Sequence, residues 1–193
     1  MPVCAVELLV PMNLDTAPVP RKKIYLAGPD VFYPDALARG RHMRALCAEY
    51  GFEGVYPLDA QIDATRAGVS LAIFEANRAF IDGADALAAN LRDFRGFEPD
   101  SGTVWEVAYA LAQGKPVVGY LPTSRSLRDR MAGHEHEGMD RDGCVVEDFG
   151  LPLNLMVAHS VTALVVGDED RFEGLRAALA HLKAVLVCPD ARA

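Results

Sequence analysis

Hydrophobic positions along this chain fall into two kinds of run. Short, nearly continuous apolar runs read as buried strands: Ile24 to Ala27, Glu53 to Tyr56, Asp85 to Leu91, Pro116 to Leu121 and Val161 to Val166. Between them, apolar residues recur at helical spacing. Ala36, Leu37, Met43, Leu46, Cys47 and Tyr50 form one such stripe, closed by Gly51. Leu71, Ile73, Phe74, Phe80 and Ile81 form a second, with Ser70 as its cap. Val104, Val107, Ala108 and Leu111 form a third, stopped by Gly114 and Pro116. Pro152 to His159 predicts a short apolar helix, and Glu169 to Leu182 a last one with Phe172, Leu175, Leu179 and Leu182 on one face. Strand and helix alternate, and the strands are apolar throughout rather than on one side. This predicts an α/β fold: a parallel five-stranded sheet with helices on both faces, flavodoxin-like or Rossmann-like.

The remaining segments are polar or broken by proline. Residues 1–22 contain Pro2, Pro11, Pro18 and Pro20 and read as an N-terminal extension, with Cys4 to Val10 as a candidate edge strand. Residues 23–193 then form one domain. Leu58 to Gly68 is irregular, and its Asp59 and Asp63 read as solvated loop charges. Pro122 to Asp148 is the polar part, with a short helix between Ser124 and Met131. Ala184 to Ala193 forms an edge strand or trails off.

The 193 residues suffice for one domain with its own core. The formal net charge of −8 leaves no basic stripe for phosphate backbones, so nucleic acid is not the expected partner. A small neutral or cationic ligand fits better. Cys4, Cys47, Cys144 and Cys188 are scattered, with no CxxC pair, which suggests no zinc site and a reducing, cytoplasmic setting. No apolar run approaches the ~20 residues of a bilayer span. Glu7 interrupts the apolar N-terminal run and no basic residue precedes it, which argues against a signal peptide. There is no GxGxxG after the first strand and no GxxxxGK[ST], so neither a dinucleotide cofactor nor a nucleoside triphosphate is expected.

Candidate chemistry gathers at the carboxyl ends of the predicted strands, where open α/β sheets bind ligands. Asp100 to Ala110 starts a helix there, with Asp100 or Ser101 as cap. Glu106 sits in its first turns. On spacing alone the plainer reading is a solvated carboxylate complementing the helix dipole. The sharper one is a nucleophile or general base at the mouth of the sheet. The loop Asp30 to Asp35 contains Phe32 and Tyr33, which either form a base-stacking wall or cover the core. Asn77 is a poor helix former in mid-helix; it is either exposed or aimed at a ligand. Asn90 is out of place in an apolar strand. His134 and His136 lack the spacing of a helical zinc pair, and no metal is expected.

Four segments resemble the nucleoside 2-deoxyribosyltransferase family. They are Ile24 to Phe32 (IYLAGPDVF), Asp85 to Asn90 with Phe94-Arg95-Gly96, Asp100 to Ala110 (DSGTVWEVAYA), and Asn154-Leu155-Met156. The third matches the family's D-x-G-T-x-x-E-x-x-x-A signature and is the most specific. The resemblance implies transfer of a 2-deoxyribosyl group between nucleobases without a cofactor. Glu106 then matches the nucleophile, Tyr25 the residue that orients it, and Asp100 the acid facing the nucleobase. Gly28, Phe32, Asn77 and Gly102 fall among substrate-contacting positions; some members carry Asp in place of Asn77. Asn154 and Met156 match residues given to a neighbouring subunit's site, which implies a homo-oligomer, dimer or hexamer. Deoxynucleosides and free nucleobases would be the partners.

The chemistry is consistent with these residues. Retention at the anomeric carbon takes two inversions, hence a glycosyl ester on a carboxylate. An anion beside an oxocarbenium-like transition state stabilises it, and a second acid protonates the departing base. Two other readings use the same residues. One is a hydrolase of deoxynucleosides or their 5′-monophosphates, with Ser101 and the helix N-terminus serving a phosphate. The other is a non-catalytic nucleotide sensor, which has no use for Glu106.

Overall fold

In the computed structural model, residues 20–60, 62–63, 65, 67–167 and 172–187 are described. The candidate edge strand at Cys4 to Val10 and the final residues 188–193 lie outside them. Five parallel strands form one sheet: β1 (Lys23–Ala27), β2 (Glu53–Val55), β3 (Ala86–Asn90), β4 (Val117–Leu121) and β7 (Ala163–Val166). Their order is β2-β1-β3-β4-β7. This is the flavodoxin-like order, so the point where the winding reverses lies between β1 and β3.

β1, β3 and β4 are buried on both faces, which is why their sequences are apolar without alternation. Successive residues serve opposite layers. Ile24, Leu26, Ala86, Ala88, Val118 and Tyr120 pack against α1 (Ala36–Glu49) and α6 (Glu173–Val187) through Met43, Leu46, Leu175, Leu179 and Leu182. Tyr25, Ala27, Leu87, Ala89, Val117 and Leu121 face α2 (Val69–Gly83), α3 (Ser101–Ala112) and α5 (Leu155–Ser160).

Several expectations need correction. α2 starts at Val69 behind Gly68, whose φ of 79° is a left-handed conformation that glycine adopts without strain; Ser70 lies inside the helix and does not cap it. Of its predicted apolar face only Ile81 is fully buried, while Leu71, Ile73 and Phe74 are exposed. α3 turns Thr103, Val107 and Ala110 to the core and leaves Ala108 outside. The aromatic loop begins as a 3-10 turn, Pro29–Phe32. Asp59 is not merely solvated: it accepts from the backbone N–H of Tyr56 and pairs with Arg44. α6 extends to Val187, through part of the predicted edge strand. Within the polar segment, β5 (Glu135–His136) and β6 (Met139–Asp140) form an antiparallel hairpin after the short α4 (Leu127–Arg130); its residues have no apolar alternation to announce it.

Candidate active site

A cavity of about 440 Å³ opens beside the loop that follows β1 and the start of α3. Its floor and one side come from Gly28 and Phe32 after β1, and from Asp100, Gly102, Thr103 and Glu106 of the α3 start. Its far wall is Pro57, Leu58, Ile62, Val69, Ile73 and Asn77. The lining is mostly apolar, with a few convergent polar groups, as small-molecule sites are. Among the described lining residues there is no Lys, Arg or His.

Asp100 caps α3: its Oδ2 accepts from the Thr103 backbone N–H at 2.9 Å and from Thr103 Oγ1 at 3.1 Å. The cap holds the start of the helix, and Glu106 lies between one and a half and two turns on, beside Tyr25 of β1. Tyr25, fully buried on β1, donates its hydroxyl to Glu106 Oε1 at 2.6 Å. Two residues 81 apart in sequence thus meet because β1 and β3 are neighbours.

Burial pushes the Glu106 carboxyl from an ordinary 4.5 up to about 7; the Tyr25 hydroxyl bond holds it down and the charge of Asp100 adds to the rise. Burial, together with the same carboxylate, drives the Tyr25 phenol far above its usual value, so it stays a donor. A carboxyl so shifted, in a cleft with a charged neighbour, makes Glu106 the candidate for chemistry at this site.

Of the residues singled out in the sequence, Tyr25, Gly28, Phe32, Asn77, Asp100, Gly102 and Glu106 converge here. Asn77 borders the cavity, and its Oδ1 is buried without a hydrogen-bond partner. Phe32 is a wall residue, stacked on Phe94 at 5.1 Å between centroids. Tyr33 instead lies under the guanidinium of Arg39.

Asn154 and Met156 do not line the cavity of their own chain. Asn154 caps α5 by accepting from Met156 N at 2.9 Å, and its Nδ2 donates to Glu147 at 2.7 Å. Met156 is 72 % exposed. No group of three or more His, Cys, Asp or Glu that could hold a metal occurs among the described residues.

Sequence reasoning missed the wall from Pro57 to Ile73. The available signal was apolar residues inside an irregular segment that follows a strand's carboxyl end. It also gave no role to Asp30 and Arg39, which are buried in a pair beneath the β1 loop.

The protein-family model described as nucleoside 2-deoxyribosyltransferase matches residues 24–156. A 2-desoxiribosyltransferase from Leishmania mexicana is similar in structure, with a TM-score of 0.66 and 33% identity, covering 84% of this chain and 97% of that one. A 2-deoxyribosyltransferase from Bacillus psychrosaccharolyticus, at 21% identity and a TM-score of 0.51 over 74% of this chain and 85% of its own, shares the fold. An uncharacterized protein of Schizosaccharomyces pombe is 29% identical over 188 residues, covering 84% of this chain and 89% of its own.

Proposed function

The chain belongs to the nucleoside 2-deoxyribosyltransferase family, and from that premise we propose that it moves the deoxyribosyl group of a 2′-deoxynucleoside to another nucleobase through an ester on Glu106. The observation that carries this is the Tyr25–Glu106 hydrogen bond of 2.6 Å inside an apolar cavity. The phenol occupies Oε1 and turns Oε2 toward the substrate. That oxygen attacks C1′ as the glycosidic bond breaks, and the bond's electron pair leaves with the base. Asp100, at the cavity edge and in its acid form for this step, hands its proton to the departing ring nitrogen and becomes the carboxylate. A second base then attacks C1′ from the vacated side, releases Glu106 as carboxylate, and returns the proton.

The cavity chemistry favours an uncharged nucleoside over a 5′-monophosphate, because a phosphate would meet Asp100 and Glu106 with no described cation opposite. The Asn77 amide, on the far wall, is the candidate partner for a sugar hydroxyl or a base. Exposed Leu71, Ile73, Phe74, Trp105 and Met156 favour self-association, with Met156 reaching a neighbour's cavity and limiting water there. On this reading Asn154 acts by capping α5 and so aiming Met156. The scattered cysteines suit a cytoplasmic site of action in nucleoside recycling.

The test is incubation with deoxyinosine, with and without free adenine. Transfer predicts new deoxyadenosine, and a covalent adduct on Glu106 when a 2-fluoro-2-deoxy analogue replaces the donor. Hypoxanthine released at equal rates in both reactions, with no deoxyadenosine, would establish hydrolysis instead.

A further inference from the structure

A second polar cluster lies just below the cavity, and the chemistry above makes no use of it. Asp30, Arg39 and Asn90 are 3 %, 5 % and 2 % exposed. Arg39 Nη1 donates to Asp30 Oδ1 at 3.0 Å, and Arg39 Nε donates to Asp35 Oδ1 at 2.7 Å. The guanidinium carbon sits 3.6 Å from the centroid of the Tyr33 ring. Asn90 Nδ2 donates to Asp30 Oδ2 at 2.8 Å, and Asn90 Oδ1 accepts from the backbone N–H of Arg92 at 3.4 Å. The two oxygens of one buried carboxylate therefore hold separate elements, Oδ1 the start of α1 and Oδ2 the end of β3. The backbone approaches closely there: a Cβ on Gly28 would lie 2.7 Å from that of Asn90.

Buried ion pairs add little net stability compared with apolar packing; their best-supported use is fixing one arrangement among several. What this pair fixes is a junction of two loops. The loop after β1 carries Phe32, which lines the cavity, and the loop after β3 carries Phe94, which backs that ring by stacking on it. We propose that Arg39, which does not reach the cavity, is a positioning residue: by clamping Asp30 against Asn90 it sets the Phe32–Phe94 stack, and so the place of Phe32 in the cavity wall and the affinity for the nucleoside. This rests on the deoxyribosyl-transfer reading. Tyr25 and Glu106 lie on β1 and α3, outside the cluster, so the wall and the nucleophile are separable.

Two full-chain variants test it. Arg39→Lys keeps the charge but loses the planar fork and the stack on Tyr33. Asp30→Asn/Arg39→Met removes both charges at once, so no unpaired ion is buried. In each, KM for the deoxynucleoside should rise roughly tenfold with kcat within about twofold. Amide hydrogen exchange over residues 28–33 should speed up. Wild-type KM and wild-type exchange in both folded variants would overturn the clamp, as would a fall in kcat at constant KM. If the wild-type protein transfers no deoxyribose at all, the reaction reading fails separately. The clamp is then judged on exchange alone, supported by faster exchange and refuted by none.

Discussion

Glu106 holds two opposed demands on one side chain. Its burial stabilises the protonated form, while the proposed attack on C1′ needs the carboxylate. The folded carboxyl keeps its proton up to about pH 7, whereas an unfolded one loses it near 4.5. The folded state thus binds more protons between these values, and this group's contribution to stability falls as pH rises through that window. Glu106→Gln should abolish transfer, by at least about a thousandfold, yet stabilise the protein at pH 8 by about 1–3 kcal/mol in a denaturant titration. The kcat/KM of the wild type should climb with pH through a limb near 7. Tyr25→Phe removes the bond that holds the carboxyl down, so its limb should move to higher pH. Its rate should drop about ten- to a hundredfold in the same pH–rate series.

At the scale of the element, α3 joins architecture to chemistry through Asp100. The same carboxylate caps the helix and faces the cavity. Asn caps a helix about as well as Asp but cannot donate an acid proton. Asp100→Asn should keep the wild-type thermal midpoint and lose on the order of a hundredfold or more in kcat. Asp100→Ala should lose comparable activity and also about 1 kcal/mol of stability, seen as a lower midpoint. This element was legible in sequence because cap, apolar period and stop residue all agree. α2 was not: Leu71, Ile73 and Phe74 have helical spacing, but periodicity does not say whether a face meets its own core or something else. The start of that helix was misplaced for a local reason. Gly68 can enter it in a left-handed conformation, and Ser70 looks like a better cap than the residue used.

For the whole molecule, the apolar strands announce a parallel sheet, but nothing in them states its order. The β2-β1-β3-β4-β7 arrangement is what puts Tyr25 on the strand next to β3 and within reach of Glu106 on the helix that follows it. Tyr25 and Glu106 could therefore be paired in sequence only through the family resemblance. Asp30 and Arg39 carried no such mark, because a buried ion pair built from loop and helix looks like ordinary surface charge until the fold closes over it. Subunit exchange is the prediction at this scale. If Met156 completes a neighbour's cavity, neither Glu106→Gln nor Met156→Ala protein should be fully active alone. Mixing and reannealing them as a two-fold dimer should restore about a quarter of the wild-type sites, read as recovered transfer activity. Sites that draw only on their own chain would give no recovery beyond the simple sum of the two.

Trp105, the chain's one tryptophan, directly precedes Glu106. It stacks on Tyr109 at 5.0 Å, lies 5.2 Å from Phe74, and borders with Glu106 a smaller opening of about 310 Å³. The protein thereby contains its own optical reporter. On the proposed reaction, indole emission should register what enters beside the carboxylate, so that arrival of the donor, formation of the ester and departure of the second product are timed in a stopped-flow instrument without any label.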